Sequence, residues 1–164
     1  FLNRYALDTL ERVKEFATIA QQSKVTVLHQ DALTAELPKL DLVLTSPPYV
    51  GLIDYHEQHR YAYELLELPS RAEQEIGAAF KGRSKRAKRA YCDEISQVFA
   101  NLRPRLNPQG HVVIIVNDKF DLYTGIAEQS GLRIEQRLTR HVNRRTGRRA
   151  AEFFEEILIC RRND

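Results

Sequence analysis

The chain has 164 residues, 43% hydrophobic and 29% charged, with 25 Lys and Arg against 22 Asp and Glu for a formal net charge of +3. This is the size and balance of one soluble globular domain with a substantial core. No apolar run approaches the roughly 20 residues a helix needs to span a bilayer, and nothing at the start reads as a signal peptide.

In chain order, Leu2 to about Gln22 places Leu2, Ala6, Leu10, Val13, Phe16, Ala17 and Ala20 near a 3.6-residue period, predicting an amphipathic helix. Val25–His29 reads as a short strand with Asp31 just past its end. Asp41–Thr45 reads as a second strand, followed by an irregular region from Pro47 to about Arg86. Lys88–Leu106 predicts a helix with Ile95, Val98, Phe99 and Leu102 on one face, stopped by Asn107-Pro108-Gln109-Gly110. His111–Val116 is a strand, Leu122–Ser130 a helix ending before Gly131, and Arg133–Thr139 and Phe153–Cys160 the last strands. Alternating strands and helices imply a parallel sheet with right-handed crossovers. The last two strands are joined by a polar loop around His141–Ala150 with no helix, which permits an antiparallel hairpin. There are no repeats and nothing requires a second domain. Cys92 and Cys160 fall in a predicted helix and strand, so they read as buried free thiols rather than a disulfide or metal site, pointing to a cytoplasmic protein. The chain contains no methionine and begins at Phe1 inside a helical pattern, so it reads as a piece of something longer.

The chemistry concentrates at Leu42-Val43-Leu44-Thr45-Ser46-Pro47-Pro48-Tyr49, an apolar run stopped by a polar residue, two prolines and an aromatic. Consecutive prolines cannot extend a ladder and each fixes its own φ, so a buried strand ends there in a stiff corner. In open α/β sheets ligands bind outside the carboxyl ends of strands. The Ser46 hydroxyl and a carbonyl of Pro47 or its neighbour can accept the two hydrogens of a planar base's exocyclic amine, while Tyr49 stacks on its face; enzymes that modify a base grip it outside the helix this way. The plain alternative is a proline-rich turn with Tyr49 capping the core.

Thr45-Ser46-Pro47-Pro48-Tyr49 resembles the catalytic motif of the S-adenosylmethionine-dependent DNA amino-methyltransferases, which methylate N4 of cytosine or N6 of adenine. In that family an acidic first residue goes mostly with adenine and serine often with N4-cytosine. The resemblance spans nearly the whole chain, as a partial methyltransferase domain over residues 1–164. It implies an α/β fold with a Rossmann-like methyltransferase sheet, mostly parallel with a C-terminal antiparallel hairpin and missing its first two strands. Those strands, with the glycine-rich cofactor loop and the ribose-binding acid, are expected before Phe1. In the family's order they would lie between Val25–His29 and Asp41–Thr45. No two of the seven glycines are separated by a single residue, so no glycine loop of that kind is present. An upstream segment or a partner chain is therefore expected to complete the cofactor site.

The resemblance gives Asp31 the adenine amine of S-adenosylmethionine, with Ala32 and Thr45 as further cofactor contacts. A carboxylate at a strand's end accepts readily from N–H, and a turn or helix cap is the alternative role for Asp31. Asp54-Tyr55-His56-Glu57-Gln58-His59-Arg60-Tyr61 holds two histidines without a third clear ligand, so it reads as lining a base pocket or packing the corner rather than binding metal.

Six of the nine residues from Lys81 to Arg89 are basic (Lys81, Arg83, Lys85, Arg86, Lys88, Arg89) with no acid among them. A second cluster spans Arg137, Arg140, His141, Arg144, Arg145, Arg148 and Arg149. Such runs suit phosphate contacts, which supply affinity and salt dependence but little sequence choice; a solvated face is the other reading. Beside a base-handling corner they point to DNA, with RNA possible as substrate. The expected reaction is direct transfer of a methyl group to the exocyclic amine of a flipped base, with Ser46 and the Pro47 region orienting the amine and Tyr49 stacking. Neither cysteine lies at a strand-end corner, so ring-carbon methylation through a thiolate does not fit. The alternatives are an RNA-base or protein-amide methyltransferase, and a non-catalytic nucleic-acid-binding module with the same fold.

Overall fold

The structure, a computed structural model, describes residues 2–20, 23–142 and 153–163. In chain order it forms α1 (Leu2–Ile19), β1 (Leu40–Thr45), α2 (Tyr55–Gln58), α3 (Arg60–Leu65), α4 (Lys85–Leu102), β2 (Leu106–Val116), α5 (Tyr123–Gln129), β3 (Leu132–Val142) and β4 (Phe153–Arg162). The region expected to be irregular therefore carries α2 and α3, with single 3-10 turns at Ala72–Gln74 and Ala79–Lys81.

Two boundaries move for local reasons. The Ser84 hydroxyl accepts from the Ala87 amide at 3.1 Å and starts α4 three residues earlier than expected. The helix ends at Leu102, before a 3-10 turn at Arg103–Arg105 that contains Pro104, which has no N–H to continue it. Asn107–Gly110, expected as a stop between elements, instead lies inside β2, where the register against β1 jumps from Leu40↔Leu106 to Leu42↔His111. The turn-prone residues are absorbed as a bulge, pinned by Asn107 Nδ2 donating to Asp41 Oδ1 at 2.6 Å.

The four strands form one sheet in the order β1-β2-β4-β3. β1 and β2 are parallel, with Thr45 opposite Ile114; β2–β4 and β3–β4 are antiparallel. Among the described residues the sheet is thus mixed rather than mostly parallel, because only the first of its three pairings is parallel. The antiparallel hairpin expected at the C-terminal end is present. The expected strand at Val25–His29 does not form. Those residues lie beside no strand, so their amides and carbonyls have no ladder to join, and Val25 and Val27 are 80% and 86% exposed.

The core lies on one face of the sheet. α4 contributes Tyr91, Ile95, Phe99 and Leu102 at helical spacing, α5 adds Tyr123 and Ile126, and the strands present Val112, Ile114, Val116, Leu132, Leu158 and Cys160. The period of two in β2 sends Val113 and Ile115 to the opposite face, in line with Leu44 and Ile159 and with Ile157 and Leu138. There Leu44 and Leu138 are exposed and the others half-buried. Both thiols are free, and burial pushes them up, Cys160 to about 11. Among the described residues no helix is long and apolar enough to cross a membrane.

Candidate active site

Because β1 and β2 are parallel neighbours, their carboxyl ends open side by side, and the loops that follow face each other. One is Ser46–Tyr49; the other is Asn117–Phe120. Between them lies a pocket of about 320 Å³ lined by Tyr49, Arg83, Tyr91, Asn117, Asp118, Phe120, Tyr123 and Phe153, among others. β4 reaches the same rim because it runs antiparallel to β2, with Glu156 opposite Val116.

The corner is held from several sides. Pro47 is buried. Tyr91, from α4, donates its hydroxyl to the Pro48 carbonyl at 2.8 Å, and the Tyr123 hydroxyl completes the chain at 2.7 Å. Burial pushes both phenols far up, so they stay neutral donors. Gly51, just beyond, adopts φ +62° and donates to the Gly77 carbonyl at 2.7 Å; a Cβ there would meet the Gly82 carbonyl at 2.7 Å. Glycine is the residue that allows this close backbone approach.

Tyr49 donates its hydroxyl to Glu155 Oε1 at 2.8 Å. Glu155 Oε2 accepts two bonds from Arg140, at 2.9 Å from Nε and 2.7 Å from Nη2. Burial and then the Glu155 carboxylate push the Tyr49 phenol up to about 12, partly opposed by the neighbouring Ser46 hydroxyl. Burial works against the charge of Glu155, but the Arg140 and Tyr49 bonds hold it below the ordinary carboxylate range. The Tyr49 and Phe153 rings stand 6.5 Å apart at 33°.

The other candidates fall in different places. Ser46 is exposed beside the Tyr49 hydroxyl, and Thr45 closes β1 half-buried. Asp31 does not share the Tyr49 pocket. It lines a separate cleft of about 470 Å³ with His29, Tyr55 and His59, and its Oδ1 accepts from the Leu33 amide at 2.9 Å, a turn cap. Asn101 of α4 ties down the Ala32 and Ala35 carbonyls at 3.5 and 3.0 Å. His56 is satisfied on both ring nitrogens: Nδ1 pairs with Glu75 at 3.0 Å and Nε2 accepts from the Arg71 amide at 3.1 Å, with the ring 4.7 Å from Tyr63. Burial opposes the Glu75 charge, but the Tyr55 and His56 amides and the His56 ring lower its pKa. This histidine packs the loop after the corner.

The basic run divides. Lys81 donates to the Glu73 and Glu75 carbonyls at 2.9 and 2.8 Å, Arg83 to the Gly51 carbonyl at 3.0 Å, and Lys88 sits 4.0 Å above the Phe120 ring. Lys85, Arg86 and Arg89 are exposed and pair with no described residue. In the second cluster Arg137 pairs with Glu156 at 2.6 Å and Arg140 with Glu155; Arg144, Arg145, Arg148 and Arg149 lie outside the described residues. Sequence reasoning missed Tyr91, Tyr123, Glu155 and the Asn117–Asp118 loop. The last had a signal, since Asn117 and Asp118 follow an apolar strand as Ser46 does; Glu155 is 106 residues from its partner and had none.

The chain is 38% identical to the type II methyltransferase M.MjaII of Methanocaldococcus jannaschii over 172 aligned positions, which cover 95% of this chain and 32% of that protein. It thus spans about a third of the length of this homologue. No family model matches it. Among solved structures, TTHA0409 of Thermus thermophilus, provisionally assigned as a DNA modification methylase, aligns over 82% of this chain and 52% of its own at 23% identity and TM-score 0.48. M1.HpyAVI in its complex with S-adenosylmethionine aligns over 77% and 44% at 19% identity and TM-score 0.38.

Proposed function

We propose that this chain is the catalytic part of an S-adenosylmethionine-dependent DNA methyltransferase that modifies the exocyclic amine of cytosine (N4) or adenine (N6). The observation that carries the reading is the rigid Ser46–Tyr49 corner at the carboxyl end of β1, its ring on the wall of a pocket shared with the β2 loop. The M.MjaII similarity supports it.

The exposed Ser46 hydroxyl and a carbonyl of Pro47 or its neighbour would accept the two amine hydrogens; the Pro48 carbonyl keeps a second lone pair beside its bond from Tyr91. Holding both hydrogens turns the nitrogen lone pair out of the base's π system. Tyr49 supplies the stacking face, worth roughly 1–3 kcal/mol per base on single-strand platforms. Alignment would supply most of the rate; forming the N–C bond would break the sulfonium S–C bond, leaving a neutral thioether, and the methylated nitrogen would lose one proton to solvent. S-adenosylmethionine would bring an electrophilic methyl group. Asp31 fits its adenine amine, because capping Leu33 uses only Oδ1 and leaves Oδ2 to accept from an N–H donor. Ala32 and Thr45 would add further contacts, and an upstream segment or partner chain would supply the rest of the site and join this cleft to the Tyr49 corner. β1 is a terminal strand of the sheet, and its free edge is where added strands would pair. Lys85, Arg86 and Arg89, with Arg144, Arg145 and Arg148, would meet phosphates.

The test is incubation of the full-length protein with methyl-labelled S-adenosylmethionine and DNA, RNA or protein, followed by nucleoside and amino-acid analysis. N4-methylcytosine or N6-methyladenine in DNA is expected. Label confined to RNA or to a protein amide would move the substrate class, and no label anywhere would leave a non-catalytic nucleic-acid-binding module.

A further inference from the structure

We infer that Glu155, held by Arg140, is a positioning residue that fixes the ring of Tyr49 through its hydroxyl and so sets the stacking plane for the target base. The inference rests on the methyl-transfer reading of the corner and adds to it a residue outside the motif.

The topology brings these groups together. Glu155 and Arg140 are direct cross-strand partners in the β3–β4 hairpin, and β4 reaches the rim where β1 ends because it runs antiparallel to β2. The carboxylate divides its oxygens. Oε2 takes both Arg140 bonds, at 2.9 and 2.7 Å, and Oε1 is left for the Tyr49 hydroxyl at 2.8 Å. Charge-assisted bonds of this kind are shorter and stronger than neutral ones. The Glu155 side chain is 12% exposed while Arg140 is 53% exposed, so the guanidinium faces water and the carboxylate faces the corner. The neighbouring Arg137–Glu156 pair, also cross-strand in character, touches Thr124 and Asp121 and reaches no part of the motif.

A tyrosine that only capped the core would need no such arrangement. The Tyr49 ring does pack against the edge of the core, and a single acceptor would satisfy its hydroxyl; what goes beyond that is a carboxylate itself held by two bonds from Arg140. Here the hydroxyl is fastened at the far end of the ring, while Pro47 and Pro48 fix the backbone at the near end. The bond pins the far end of the side chain on the pocket wall, and because a phenolic O–H prefers to lie in the ring plane, its direction toward Glu155 favours one orientation of the ring. A flipped base thus meets a surface already oriented, which matters because a misplacement on the order of 1 Å can cost about 100-fold in rate. Sequence reasoning alone makes Tyr49→Phe mild, since stacking needs only the ring. The clamp reverses that expectation.

In the full-length protein, Tyr49→Phe and Glu155→Leu are each expected to lower kcat about tenfold or more, with the dissociation constants for DNA and S-adenosylmethionine nearly unchanged. Glu155→Gln, which keeps an acceptor for the hydroxyl, should recover part of the loss. The Tyr49→Phe/Glu155→Leu double variant should be no worse than the worse single, because both cut the same bond. Additive losses, or full kcat in either single variant, would overturn the positioning role. A second readout needs no turnover: with ring-13C tyrosine, the Tyr49 signal, assigned by its loss in Tyr49→Phe, should shift and its ring flips quicken in Glu155→Leu, while Tyr91 and Tyr123 stay put. An unmoved Tyr49 signal overturns the clamp even if methylation proceeds. If the wild-type protein methylates nothing, the reading of the reaction fails, and the spectrum still decides the clamp.

Discussion

α1 and α4 are both 18-residue amphipathic helices, and one is buried while the other is bare. α4 seals Tyr91, Ile95, Phe99 and Leu102 against the sheet. α1 exposes Leu7, Leu10, Val13 and Phe16, the last at 66%, and every residue described in it beyond Leu2 is exposed. Periodicity makes the helix in both cases, but burial requires an opposing surface, and only α4 has the inner face of β2 and β4. The contrast continues across the sheet. The α4 side leaves no buried side-chain polar atom unpaired among the described residues, whereas the opposite face shows Leu44 and Leu138 to water. The open apolar surface lies beside the edge strand β1, so the two faces of one sheet differ in what covers them.

The sharpest way to break the comparison is to cut the same side chain from each helix. Phe99→Ala, in the core at 2% exposure, is expected to cost about 3–5 kcal/mol in urea unfolding, and Phe16→Ala within about 0.5 kcal/mol. Equal losses would mean that α1 is packed in solution against a surface outside the described residues.

A smaller effect separates the half-buried acids from the exposed ones. Glu155 and Glu75 are held below their ordinary value of 4.5, so the stability they contribute is present above that value and lost as the pH falls through the lowered one. Thermal melts should be nearly level from pH 7 to about 5 and fall below it, and Glu155→Gln should make that fall shallower while lowering the melting temperature at pH 7. In α1, Asp8 pairs with Arg12 at 3.1 Å in the open. Exposed pairs contribute about 0–1 kcal/mol, so Asp8→Asn should lower the pH 7 melt less than Glu155→Gln does. Parallel acid limbs for the wild type and Glu155→Gln would contradict the assignment.

The smallest effect lies within α4 itself, between its core stripe and its first turn. That turn carries Lys85 and Arg86 and no acid, against the helix dipole. Lys85→Glu is therefore expected to stabilise the protein by about 0.3–1 kcal/mol while weakening DNA binding and reducing the slope of log K against log salt by about 1 or more. An unchanged slope would make the run a solvated helix face.

The corner was legible because its causes are local. An apolar run followed by two prolines ends a strand at Thr45 whatever lies around it, and the helical spacing in α4 and the alternation in β2 needed no partner to be read. Val25–His29 has the same composition as a strand and is not one, because a ladder requires a neighbour and the chain places none beside it. Asn107–Gly110 reads as a stop and lies inside β2 as a bulge, since pairing with β1 outweighs turn propensity there.

What the sequence by itself determined is the helical and strand periods, the rigid Ser46–Tyr49 corner and the basic run, all of which follow from residues within a few positions of one another. Tertiary structure alone decided that the sheet is mixed among the described residues, that Lys81, Arg83 and Lys88 make internal contacts, and that Glu155 reaches Tyr49 across 106 residues. Those outcomes depend on which strands become neighbours and in which direction they run, and no local spacing encodes that.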